Sequence, residues 1–224
     1  MKKFCSLVVF TVLALGSLVC NSCTEVGDDI LSTIPQRTAF VAKVNADKIL
    51  ASADVRLSDG KYKLSAALSE LSYNLTGTDR KLLDEFLEAI PAIDSENIYI
   101  YSTVDEDVIL TCGVKHKSEL TKALTKQFGS SESIDGFTVY DINGDALLLR
   151  DNQLWMSDKA EYIIKAVKSA AEQSVADKPG FREQFAADNA VTAIIDDRIM
   201  TNIVNMQGIP ARVTALTDNT VIYL

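Results

Sequence analysis

The sequence predicts an α+β fold: an antiparallel sheet with helices packed on one of its faces. Hairpin and meander signals dominate the strands, and no regular strand–helix alternation supplies the crossovers that a parallel sheet needs. A repeat adds a third observation. The stretch A-F-V-A-K-V-N-A-D-K-I-L at residues 39–50 returns as A-V-T-A-I-I-D-D-R-I-M at residues 190–200. With one residue dropped after Asn45, Ala39 matches Ala190, Ala42 matches Ala193, Val44 matches Ile195, Asp47 matches Asp197, Lys48 matches Arg198 and Ile49 matches Ile199. Each copy reads as a strand ending on Asn45 or Asp196, whose side-chain oxygen can cap a helix that follows directly. Related copies would bury Ala42 and Ala193 and expose Lys48 and Arg198.

In chain order, the first copy leads through Asn45 into a short helix. Leu64, Ala67, Leu68, Leu71 and Leu75 then fall at helical spacing up to Gly77. A second helical pattern starts at Thr78, carries Leu82, Leu83, Phe86, Leu87 and Ile90 inward, and stops at Pro91. Residues 98–101 and 108–110 are strands around the charged turn Asp105-Glu106-Asp107. Leu120, Ala123, Leu124 and Phe128 mark another amphipathic helix. Residues 137–142, 145–150 and 153–156 form a β-meander, because Asn143-Gly144 and Asp151-Asn152 are two-residue turns that permit positive φ. A helix capped by Ser157 follows, with Ala160, Ile163, Ile164, Val167, Ala170 and Ala171 on one stripe. Residues 181–185 read as a short linking helix. Residues 212–224 repeat the strand, polar turn, strand layout of residues 98–110. They either open a second, related module that is incomplete here or add strands to the first sheet.

Composition narrows the function. The 224 residues carry a net charge of -9, and no cluster of Lys and Arg offers the counterion exchange that nucleic acid demands. A single histidine, His116, sits between two lysines at a strand-to-helix corner. It leaves no Ser-His-Asp triad or multi-histidine zinc site within reach. The stretch D-I-N-G-D at residues 141–145 resembles the start of a calcium loop, but Gly144 falls two residues early and Asn152 stands where a bidentate Glu belongs. It is a hairpin turn. Asp196 and Asp197 are caps rather than an acid/base pair. Cys112 lies in an apolar strand and reads as an inert core thiol. No cofactor, metal site or catalytic residue is expected.

The N-terminus is the one chemically informative region. Lys2 and Lys3 form a basic start, and residues 4–19 are an apolar stretch too short and wrongly flanked for a spanning helix. The run ends L-V-C-N-S-C, which resembles the lipobox of bacterial lipoproteins, where a small residue precedes a Cys that is lipidated and becomes the mature N-terminus. Ser22 points to Cys23 as that residue, because Val19 before Cys20 is not small. Cleavage removes two lysines and no acids, leaving 20 basic and 31 acidic residues, a net charge of -11. Cys5 and Cys20 leave with the signal and Cys23 takes the lipid, so only Cys112 remains and no internal disulfide can form.

Residues 24–29, T-E-V-G-D-D, resemble the acidic export signal after the lipidated Cys of surface lipoproteins in Bacteroidota-type bacteria. They also read as a plain solvated spacer. Together with Pro35 and the strand at residues 38–50, these features resemble the uncharacterised envelope lipoproteins of such bacteria, which are typically longer proteins of related α+β modules. The resemblance implies membrane attachment and brings no catalytic residues. The organisation expected is a lipoprotein signal peptide at 1–22, a flexible acidic tether at 23–36, an α+β module at 37–178, and a partial second module or extra strands at 179–224. The expected role is a non-catalytic, membrane-anchored envelope module at the outer membrane that binds a protein or glycan. The alternative is a carboxylate-dependent hydrolase of envelope or dietary polysaccharide. That chemistry wants aromatic platforms beside paired acids, whereas Trp155, the sole Trp, lies inside the meander.

Overall fold

The computed structural model describes residues 29–52, 55–58, 61–63, 92–105, 107–142, 144–186, 189–196, 212–216 and 219–223. The signal segment, Cys23 and the two leucine-rich helical patterns of residues 64–90 lie outside the described residues. So do residues 197–211, which include the Arg198 position of the repeat.

The strands are β1 (Thr38–Val44), β2 (Arg56–Ser58), β3 (Lys61–Lys63), β4 (Ile93–Thr103), β5 (Val108–Val114) and β6 (Glu132–Ile134). They continue with β7 (Phe137–Ile142), β8 (Asp145–Arg150), β9 (Gln153–Ser157), β10 (Val191–Asp196), β11 (Arg212–Leu216) and β12 (Asn219–Tyr223). The helices are α1 (Ala46–Ser52), α2 (Lys117–Phe128), α3 (Ala160–Glu172) and α4 (Phe181–Phe185). Of two 3-10 turns, Val175–Asp177 lies between α3 and α4, and Ile30–Thr33 lies in the segment expected as a flexible tether, where Ile30, Leu31 and Ile34 are buried in the core, so the tether does not reach residue 36. Ten strands form one sheet in the order β11-β12-β10-β1-β4-β5-β9-β8-β7-β6, and every neighbouring pair is antiparallel. β2 and β3 form a separate hairpin. The fold is therefore α+β on an antiparallel sheet, and β10, β11 and β12 belong to the same sheet as β1.

Helices on one face is the expectation that packing corrects. Side chains alternate across the sheet, and both sets are covered. Tyr99, Tyr101, Ile109, Leu148 and Trp155 pack with Ile163, Ala166 and Val167 of α3, with Val175, and with Phe181 and Phe185 of α4. Their neighbours Ile98, Leu110, Cys112, Leu149, Leu154 and Met156 pack with Leu120 and Leu124 of α2. A single-faced sheet would leave the second set in water. Burying a Leu-sized side chain is worth about 1.5–3 kcal/mol, so the second helix layer follows from the continuous apolar runs of β5, β8 and β9.

Local chemistry places the turns. The meander strands form in the places read from sequence, and Asp151 at φ 53 and Gly144 at φ 99 take the left-handed conformations their turns require. A fourth strand, β6, precedes them across an Asp135-Gly136 turn with φ 51 and 79, chemistry of the same kind. Ser157 does not cap α3: Lys159 occupies the N-cap position, and the Ser157 hydroxyl donates to the Val108 carbonyl at 2.8 Å. That bond ties β9 to β5 instead. Ala171 is exposed, and Ala166 takes its place in the buried stripe.

The repeat is met in part. Asn45 caps α1, accepting the Lys48 backbone N–H at 3.0 Å on its side-chain oxygen. Ala42 and Ala193 are half-buried rather than buried, and Lys48 is half-buried rather than exposed. The two segments are direct neighbours. β1 and β10 pair antiparallel, with Ala42 opposite Ala193.

Candidate functional site

A cavity of about 310 Å3 opens where the β7–β8 turn, the residues after β9 and the start of α3 meet. Asp141 and Asp145 come from the two ends of that turn, Asp158 from the exit of β9, and Glu132 from β6. These residues come from successive elements and converge because β7, β8 and β9 are consecutive meander strands, which bring alternate ends to one side. Asp141 is fixed by its turn, its carboxylate accepting the Gly144 N–H at 3.0 Å. Burial, then the charges of Asp158 and Asp141, push the Asp145 carboxyl above the ordinary Asp range. One of its oxygens is buried without a hydrogen-bond partner among the described residues.

Nearby, burial and the charge of Asp105 raise the carboxyl of Asp107 in the β4–β5 turn, with Asp158 adding a smaller push in the same direction. Lys159 borders the cavity, but its ammonium is engaged with Glu161 at 3.6 Å and lies over the Tyr162 ring at 5.2 Å. Carboxylates thus outnumber cations on this wall. A raised Asp can hold a proton for transfer, but no histidine, thiol or serine–base pair stands beside it among the described residues. No group of three or more His, Cys, Asp and Glu suited to a metal occurs among them either.

Among the described residues no exposed aromatic lines the cavity. Trp155 is 1% exposed and packs edge-to-face on Phe137 with ring centroids 5.5 Å apart, so it is core and offers no platform for a sugar. Tyr140 lines the cavity but is buried, its hydroxyl 3.2 Å from that of Thr125. A second opening, about 500 Å3 between Gln36, Arg37, Ser169, Glu172 and Gln173, is polar and borders the isolated bridge between Pro35 and Ser174.

The other residues singled out from sequence lie apart from these openings. Cys112 is fully buried on the α2 side, and burial pushes its thiol far above the ordinary range, away from the reactive thiolate. His116 is half-buried just before α2, its backbone N–H donating to the Ala92 carbonyl at 3.3 Å. Asp196 ends β10, while Asp197 lies outside the described residues, as does Cys23. Sequence reasoning treated Asp141 and Asp145 as turn formers only, and Asp158 carried no signal. Among the described residues no helix is long and apolar enough to cross a membrane.

No protein-family model matches the chain, and no curated protein matches it. Among solved structures, one described as "Structure of crystal form III of TP0453" is 9% identical, covers 89% of this chain and 94% of its own, and has a TM-score of 0.46. Another, "Structure of crystal form IV of TP0453", is 9% identical over 86% and 90%, with a TM-score of 0.44.

Proposed function

We propose that this chain is a bacterial envelope lipoprotein, anchored at the outer membrane through lipid on Cys23, that works by binding a protein or glycan rather than by catalysis. The observation that carries the reading is the N-terminal order of basic start, short apolar run and Ser22-Cys23. Two further facts support it. The strands β4, β5, β8 and β9 are covered by helices on both faces, leaving loops and helix surfaces for contact, and no exposed aromatic among the described residues lines the carboxylate-rich cavity as a glycan-cleaving site would want.

Cys23→Ala expressed in a bacterial host should move the protein from the membrane fraction to the soluble fraction. Unchanged fractionation with an unmodified mature N-terminus would reject the anchor. Stable residence calls for more than one acyl chain, because a single chain binds bilayers only marginally. Display on the outer surface follows from the acidic residues after Cys23. We propose in addition that the β10 segment begins a second module related to the one containing β1, as the shared residues of the two copies suggest.

A further inference from the structure

This inference rests on the proposed duplication and concerns how the two related units dock. In the β1·β10 pair, Phe40 faces Ile195, Val41 faces Ile194, Ala42 faces Ala193, Lys43 faces Thr192 and Val44 faces Val191. Under the match of Ala42 with Ala193, Phe40 is the counterpart of Val191 and Val44 that of Ile195. Phe40 therefore faces the counterpart of Val44, and Val44 faces the counterpart of Phe40. That reciprocity is the signature of a two-fold axis between Ala42 and Ala193, normal to the sheet, as in an isologous dimer interface.

The strands outside this pair obey the same axis. β4 lies on β1 with Val41 opposite Tyr101, Ala42 opposite Ile100 and Lys43 opposite Tyr99. β12 lies on β10 with Thr192 opposite Tyr223, Ala193 opposite Ile222 and Ile194 opposite Val221. The axis thus pairs Tyr101 with Tyr223, Ile100 with Ile222 and Tyr99 with Val221. The sequences agree, since Asn97-Ile98-Tyr99-Ile100-Tyr101 and Asn219-Thr220-Val221-Ile222-Tyr223 share Asn, Ile and Tyr in register. The residue match and the strand register are independent observations, and they give the same correspondence. Farther out, β5 on β4 and β11 on β12 are both antiparallel, so β11 stands in the place of β5 although it precedes its neighbour in the chain.

We infer that the strands β5-β4-β1-β10-β12-β11 form an internal pseudo-dimer within the sheet: the edge of β1 is a docking surface for a strand of its own kind, occupied by β10, and β12 is the counterpart of β4. The sequence layout alone suggested otherwise, aligning residues 212–224 with 98–110 and so placing β11 against β4. The structure reverses that hairpin.

Paired cysteines in the full chain test both levels, because directly opposed side chains are close enough for a disulfide and those two strands apart are not. Cys112 is buried and does not compete. Ala42→Cys/Ala193→Cys and Ala193→Cys/Ile222→Cys should each give a shifted, reducible band on oxidation, and Ala193→Cys/Thr214→Cys should not. Crosslinking of the 193–214 pair in place of 193–222 would make β11 the neighbour of β10 and overturn the pseudo-dimer while leaving the duplication standing. Loss of the 42–193 crosslink would overturn the pseudo-dimer at its central pair. Membrane fractionation of Cys23→Ala is independent of either result.

Discussion

β9 and β1 sit in the same sheet, yet the environment of each is different, and the difference shows how coverage is written in sequence. All five residues of β9 are buried, so its Leu154-Trp155-Met156 run has helix packing above and below. In β1, Val41 is 1% exposed, while Phe40, Ala42, Lys43 and Val44 are half-buried. A continuous apolar run therefore reports cover on both faces, and a run broken by Lys43 reports a weaker second layer.

The largest expected effect breaks or keeps this contrast. Trp155→Ala should destabilise the protein by about 3–5 kcal/mol, and Leu124→Ala on the opposite face by about 2–5 kcal/mol, because each empties a packed site. Phe40→Ala should cost clearly less than Trp155→Ala, since its side chain already meets solvent. Chemical denaturation of the three variants decides it. A Leu124→Ala loss below about 1 kcal/mol, the size of a surface change, would mean that α2 does not seal its face.

These elements also show what could be read in advance. The meander strands were legible because Asn143-Gly144 and Asp151-Asn152 impose turn geometry locally, and α2 because Leu120 and Leu124 repeat at helical spacing. β6 was missed although Asp135-Gly136 carries the same turn chemistry. The second helix layer was legible in principle from Leu147-Leu148-Leu149, a run with no polar positions, but helices on one face only were expected. One partner choice could not be read, because the Ser157 hydroxyl found a carbonyl 49 residues away rather than the helix beside it. The lipidation proposed at Cys23 rests on a linear motif alone, outside the described residues.

A smaller effect sharpens the contrast at the helix that follows each strand. α1 starts from β1 through a side-chain cap, whereas α3 starts after β9 with no side-chain cap at Lys159. Asn45→Ala should therefore cost about 1 kcal/mol, the usual value of an N-cap oxygen. Lys159→Ala should leave stability nearly unchanged. Thermal denaturation of both compares them directly, and an equal response would show that the Asn45 bond contributes nothing to α1.

The smallest effect is electrostatic and separates two carboxylates by sign. Asp145, on the meander side, has its folded-state pKa raised first by burial and then by Asp158 and Asp141, so its ionised form opposes folding. Asp177 is lowered, mainly by the Ser174 backbone N–H at 2.8 Å and the Ser174 hydroxyl at 3.0 Å, so its ionised form favours folding. Linkage then gives opposite slopes. The stability that Asp145 contributes is fully present below its unfolded pKa and is lost as pH rises through the raised folded value. That of Asp177 is present above its unfolded pKa and is lost as pH falls through the lowered folded value. Asp145→Asn should raise the melting temperature at neutral pH, by an amount that shrinks as pH drops toward the carboxylate range. Asp177→Asn should lower it at neutral pH, with the deficit closing only at more acid pH, where the wild-type carboxylate is itself protonated. Melting curves from pH 7 to pH 3 read both variants, and a shared sign at neutral pH would contradict the opposed environments of the two side chains.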